Sequence, residues 1–139
     1  MSFNLEGKKI GLIGLGYVGL PLAVEFGKVR EVVGFDISMD RIKELNSGID
    51  KTLECSLDQI KQASNLEFSC EDSCLESCEI FIITVPTPVD SSNRPNLGPL
   101  LSASETGGKY LKKGDLVIYE STVFPGATEE ICVPILESI

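Results

Sequence analysis

The sequence predicts an α/β fold, a doubly wound parallel sheet, and three features carry that expectation. Short apolar runs alternate along the chain with stretches of helical spacing, the order that a parallel sheet covered by helices requires. Residues 79–85 (EIFIITV) form a continuous β-rich run with no polar alternation, as in a strand buried on both faces. The first apolar run ends in glycines and passes directly into an apolar stretch of helical length.

Each element follows in turn. Residues 9–13 (KIGLI) read as a buried strand ended by glycines, and residues 17–26 as a helix that is apolar nearly all round, packed on a sheet. Pro21 falls inside that helix; with a start at Gly16 it costs one backbone hydrogen bond. Residues 31–36 (EVVGFD) read as the second strand. Residues 38–45 have surface-helix spacing, with Met39, Ile42 and Leu45 on one side, and Asn46, Ser47 and Gly48 stop it. A short helix over 57–63, a short strand over 66–69 and an acidic helical turn over 71–77 lead into the strand at 79–85. Pro86, Thr87 and Pro88 break that strand, and residues 89–95 are a polar loop. Residues 96–111 carry a helical pattern that ends in Lys112, Lys113 and Gly114, a basic last turn followed by glycine. Residues 115–121 (DLVIYES) are a fifth strand, Pro125 and Gly126 a turn, and Thr128 the cap of a last helix towards Leu136. No repeat, low-complexity segment or interdomain linker interrupts the 139 residues, which suit one domain whose sheet is truncated near its last strand.

Composition narrows the chemistry. The chain has 42% hydrophobic and 24% charged residues, ordinary globular values, and no histidine. That absence removes Ser-His-Asp and Cys-His catalysis and every His-containing zinc motif. A net charge of −9 argues against a nucleic-acid surface and against a polybasic membrane anchor. No apolar run reaches the roughly 20 residues of a membrane-spanning helix, and residues 1–6 (MSFNLE) lack the regions of a signal peptide. Five cysteines, an odd number without a secretion signal, read as reduced thiols of a cytoplasmic protein. Cys70, Cys74 and Cys78 lie four apart and can share a helical face. Their spacing fits neither zinc pairs nor iron–sulfur runs, so they read as thiols on and after a short helix, with no metal.

In a parallel sheet, ligands bind at the carboxyl ends of the strands. Beyond the first strand lies Gly14-Leu15-Gly16-Tyr17-Val18-Gly19, a G-x-G-x-x-G between strand and helix. Gly14 permits the tight turn, Gly16 leaves room for a diphosphate, and Gly19 lets the helix approach the strand, with helix-start N–H groups facing the phosphates. Without a ligand, the same glycines would serve only a tight strand–helix connection. Asp36 ends the second strand, 22 residues after Gly14. Its carboxylate suits the adenosine ribose hydroxyls and repels a 2′-phosphate, which favours NAD over NADP in a Rossmann-type site. The alternative is a helix N-cap. Arg41 could receive a 2′-phosphate, but beside Asp36 it reads as packing at the adenosine end.

Residues 14–22 (GLGYVGLPL), 85–88 (VPTP) and 120–123 (ESTV), with Pro125, Gly126, Ala127 and Thr128, resemble the UDP-glucose/GDP-mannose dehydrogenase family over nearly the whole chain. The stretch through Asp50, Thr52 and Glu54, with VPTP and ESTVFPGATEE, is most similar to the UDP-N-acetylhexosamine 6-dehydrogenases, which make uronic acids for bacterial surface polysaccharides. The resemblance implies that Gly14, Gly16, Val18 and Gly19 line the diphosphate, that Tyr17 also belongs to the cofactor site, and that Asp36 and Arg41 hold the adenosine. It implies that Thr87 contacts NAD, with Val85 and Pro86 shaping the wall. Ser121 and Thr122 match the family's Ser-Thr pair, in which the threonine lies by the nicotinamide and helps to hold a catalytic water. Bottom-up, Thr87 and Thr122 could equally satisfy turn backbone.

The family chemistry is a double hydride transfer that takes a sugar 6-alcohol through an aldehyde and a cysteine thioester to the acid. The family's cysteine, lysine and glutamate lie downstream in the sugar-binding half, and neither Cys132 nor Cys55 matches that cysteine. Residues 1–139 are therefore expected to be an NAD-binding domain without the sugar-binding, catalytic-cysteine domain, binding NAD and oxidising nothing. The UDP-sugar substrate and homo-oligomeric contacts belong to the parent enzyme. A β-hydroxyacid dehydrogenase usually has Met at position 18 and often Arg at position 36. A methyltransferase explains neither VPTP nor ESTV, and a stand-alone NAD sensor requires the short chain to be the natural product.

Overall fold

The apolar run Ile10–Ile13 forms strand β1 at the centre of the sheet in the computed structural model, which describes residues 7–85, 91–92 and 96–120. β1 pairs in parallel with β2 (Val32–Phe35) on one side and β4 (Ile80–Ile83) on the other. β3 (Leu66–Ser69) lies beside β2, and β5 (Leu116–Tyr119) beside β4, also in parallel. The order is β3-β2-β1-β4-β5, so the chain reverses its direction of build at β1, and the expected doubly wound α/β sheet is present.

Every residue of β1, β2 and β4 is buried, which is why these strands read as continuous apolar runs. Alternate residues still face opposite ways. Ile10, Leu12, Ile80 and Ile82 pack with Leu20, Val24, Ile42 and Leu45, beneath α1 (Gly19–Gly27), α2 (Met39–Asn46) and α3 (Leu57–Gln62). Ile13, Phe81 and Ile83 pack on the other face with Leu75 of a 3₁₀ turn (Asp72–Leu75) and with Leu100 and Ala103 of α4 (Gly98–Tyr110). Each fully buried Val, Leu, Ile or Phe among them contributes roughly 1.5–3 kcal/mol relative to exposure.

Several boundaries differ from the sequence reading. α1 begins at Gly19 rather than Tyr17, and Tyr17 and Val18 stand exposed in the preceding turn. Pro21 is then its third residue, in the first turn where the ring is tolerated. The bonds on either side, Leu20 N to Gly16 O and Leu22 N to Val18 O, are made at 3.2 and 3.4 Å. Ser38 caps α2 through the Arg41 N–H, and Ser56 and Gln59 form a capping box on α3. Met39, expected on the buried side, is exposed in the first turn of α2, while Ile42 and Leu45 are buried. α4 stops at Tyr110, not at the Lys-Lys-Gly: Leu111 is extended, and Asp115 Oδ2 accepts from Lys112 N at 2.8 Å, so Gly114 (φ +93°) serves the turn into β5. Cys70, Cys74 and Cys78 do not share a helical face. They follow β3, lie in the 3₁₀ turn and precede β4 respectively, with Cys78 buried against Gly11. The helix expected towards Leu136 lies outside the described residues.

Candidate functional site

The carboxyl ends of β1, β2 and β4 converge where the sheet order reverses, and the glycine turn lies there. Gly14 takes φ +102°, a conformation that L side chains rarely adopt, and its N–H donates to Phe35 O at 2.8 Å. A Cβ on Gly19 would overlap the Gly14 carbonyl oxygen and the Thr84 hydroxyl, so this glycine allows α1 to sit against the strand ends. Gly16 differs: a Cβ there would meet nothing within 4 Å, and its backbone faces open space. Thr84, which sequence reasoning missed, is buried just beyond β4 and donates its hydroxyl to Gly14 O at 2.7 Å. Its signal was a hydroxyl residue directly after an apolar strand that faces the glycine turn.

Leu15, between the two turn glycines, is held on both sides. Its N–H donates to Asp36 Oδ2 at 3.0 Å, and its carbonyl accepts from Arg41 Nε at 2.7 Å. Asp36 Oδ1 accepts from Ser38 N at 2.9 Å, so Asp36 shapes the turn before α2 while Ser38, not Asp36, is the N-cap. Arg41 Nη1 donates to Glu44 Oε2 at 3.2 Å and to Asp50 Oδ1 at 3.0 Å. Arg41 Nη2 is buried and has no hydrogen-bond partner among the described residues.

The Asp50 side chain has no exposed surface and accepts five hydrogen bonds, from Arg41, the Thr52 N–H and hydroxyl, and the N–H groups of Glu54 and Cys55. Burial pushes its carboxyl up, but the Thr52 hydroxyl, the Cys55 N–H, Arg41 and the Thr52 N–H outweigh it and hold the pKa at about 2. The same contacts fold residues 50–55 so tightly that exposed Leu53 sits at φ 58°. Burial likewise raises the Glu44 carboxyl, and Arg41 and Lys51 more than reverse that, leaving it below its ordinary value.

Asp36, Arg41 and the glycine turn border a cavity of about 430 Å³, within the range of small-molecule sites. Of the expected site residues, Gly14, Gly16, Asp36, Arg41 and Val85 line it, while Gly19 lies under the turn. Tyr17 and Val18 stand exposed at the start of α1 and do not line it. Pro86, Thr87, Ser121 and Thr122 lie outside the described residues. The wall opposite Asp36 was not foreseen: it is the first two turns of α4, through Pro99, Ser102, Ala103 and Thr106. Its signal was the run of short side chains in the helix after β4.

A parallel sheet of this order, with a glycine turn and an acidic second-strand end at its reversal point, defines the Rossmann-type class of dinucleotide-binding domains. Residues 8–139 match the UDP-glucose/GDP-mannose dehydrogenase family, NAD binding domain, and the chain belongs to that family. It is 62% identical over 129 residues to a UDP-N-acetyl-D-glucosamine 6-dehydrogenase of Pseudomonas aeruginosa, covering 93% of this chain and 31% of that protein. It is 54% identical over 134 residues to an enzyme of the same name from Salmonella typhi, covering 96% and 32%. Among solved structures, it superposes on a UDP-D-ManNAc dehydrogenase from Pyrococcus horikoshii with a TM-score of 0.81 and 36% identity, covering 94% of this chain and 32% of that one. The chain thus spans about a third of the length of the curated relatives it matches. No helix among the described residues is long and apolar enough to cross a membrane.

Proposed function

We propose that residues 1–139 hold NAD for a nucleotide-sugar 6-dehydrogenase that oxidises a UDP-N-acetylhexosamine to its uronic acid. The observation that carries the reading is the acidic strand end beside the glycine turn at one end of the cavity. Among the described residues, Asp36 accepts one hydrogen bond on each carboxylate oxygen, which leaves a lone pair on each, and Arg41 holds the same Leu15 from the other side. The hydroxyls of a ribose need such acceptors. The open backbone at Gly16 suits a diphosphate, and the apolar wall of Val85, Pro99 and Ala103 suits a flat base. The residues present therefore fit the cofactor.

When bound, NAD supplies the hydride acceptor for oxidation of the sugar alcohol. This chain's part is to place it: Gly14 and Gly19 set the turn, Thr84 locks it, and Asp36 and Arg41 fix the adenosine end. We assign Pro86 and Thr87 to the cofactor wall, Ser121 and Thr122 to the nicotinamide end with Thr122 holding a water, and Tyr17 and Val18 to the open mouth of the turn. The names of the relatives support a UDP-sugar substrate. A cytoplasmic, homo-oligomeric enzyme of surface polysaccharide synthesis completes the proposal. Residues 1–139 alone bind NAD without turnover.

Calorimetric titration tests this. The chain binds NAD more tightly than NADP, and Asp36→Ala weakens NAD at least about tenfold, the loss of one charge-assisted hydrogen bond. Equal affinities for NAD and NADP refute the role of Asp36. NADH formation by these 139 residues with a UDP-N-acetylhexosamine overturns the claim that they do not turn over.

A further inference from the structure

We infer that Glu44 and Asp50 reinforce the dinucleotide preference that Asp36 gives this site by denying Arg41 to a 2′-phosphate, an inference that rests on the NAD-site reading above. An arginine next to the second-strand end is ambiguous in sequence, because a guanidinium there can receive the extra phosphate of NADP. Phosphate recognition by arginine uses two parallel N–H donors, along either the Nε–Nη2 edge or the Nη1–Nη2 edge. In this structure neither edge is open. Nε is spent on the Leu15 carbonyl at 2.7 Å, and Nη1 on Glu44 at 3.2 Å and Asp50 at 3.0 Å. Only Nη2 remains, and this single nitrogen, buried and with no hydrogen-bond partner among the described residues, cannot form the fork.

Charge acts in the same direction. Arg41 pairs with Glu44 and Asp50, Lys51 Nζ lies 3.4 Å from Glu44 Oε1, and Asp36 lines the same cavity as Arg41, so these five groups carry one negative charge in excess. Arg41 and Glu44 are both mostly buried, at 12% and 16% side-chain exposure, so water screens their contact only partly. Asp50 also organises its own loop, whereas the Glu44 carboxylate bonds only Arg41 and Lys51 among the described residues and is the separable half of the device.

The test measures Kd for NAD and for NADP by calorimetry on the 139-residue chain and its Glu44→Gln, Glu44→Ala and Glu44→Ala/Arg41→Met variants, with circular dichroism as the folding control. In Glu44→Ala, one Nη1 hydrogen is freed, and the NADP-to-NAD affinity ratio rises about tenfold, the scale of one charged hydrogen bond. Glu44→Gln moves the ratio in the same direction by less, and Arg41→Met abolishes the gain. A ratio unchanged in Glu44→Ala, or a gain that survives Arg41→Met, overturns the inference while leaving NAD binding by the parent chain intact. Failure of the parent chain to bind NAD overturns the site reading, and this inference with it.

Discussion

Replacing Asp50 by alanine would remove a carboxylate with no exposed surface and with five hydrogen bonds. Its largest loss is the ion pair to Arg41, whose guanidinium stays mostly buried with part of its pairing gone. Breaking a buried pair from one side costs about 3–5 kcal/mol. The N–H groups of Thr52, Glu54 and Cys55 lie near the surface, where water can replace the lost acceptor, so they add little. Against a typical domain stability of roughly 5–15 kcal/mol this is a large fraction, and for a chain of this length it lowers the melting temperature by roughly 10–17 °C. Urea unfolding followed by circular dichroism measures it directly. The control is Asp72→Ala, which removes a half-buried carboxylate, its side chain 34% exposed, bonded to Lys109 and Tyr110, and costs about 1 kcal/mol. If Asp50→Ala costs no more than Asp72→Ala, the argument from burial is wrong.

The same carboxylate predicts an acid limit. Its folded pKa of about 2 lies below the ordinary 3.8, so its contribution of about 2 kcal/mol is complete above pH 4 to 5 and is lost as pH falls towards 2. Urea midpoints at pH 6, 4 and 3 should show that loss in the parent and a smaller one in Asp50→Ala. Two glycine variants separate folding from binding. Gly19→Ala forces a Cβ onto the Gly14 carbonyl, destabilises by about 1–3 kcal/mol and weakens NAD, whereas Gly16→Ala, open to solvent, leaves the melting temperature within about 2 °C and weakens NAD at least about tenfold. Equal thermal effects of the two would contradict the distinct roles given to them. Cys78 is buried, which pushes its thiol up to about 11, so iodoacetamide at pH 8 followed by peptide mapping should label it more slowly than Cys55.

The sheet was legible because its central strands are buried on both faces, and nothing but a continuous apolar run satisfies that condition. Ile80–Ile83 and Ile10–Ile13 show it most clearly. Helix ends were less legible. Tyr17 and Val18 have the apolar character of α1 but stand exposed in the turn, and no local pattern marks such apolar residues as exposed. The glycines and Asp36 could be assigned because backbone approach and an acidic strand end leave a sequence signature. The α4 wall and the Asp50 latch could not. Ser102 reaches the cavity only through tertiary packing, and Asp50 meets Arg41 because a loop folds back through backbone N–H groups that any residue type carries.

The double hold on Leu15 bears on how binding energy is spent. A glycine-rich loop that wandered in the free protein would have to be ordered by its ligand, at about 1–2 kcal/mol for each residue fixed. Here the Asp36 and Arg41 side chains have already ordered it during folding, and Asp50, nine residues along the chain, keeps Arg41 in place. Affinity is thus partly stored as folding free energy in residues that need never touch the ligand. Loosening the Asp50 loop would surface as an entropic penalty on binding, with every contact to the dinucleotide still available.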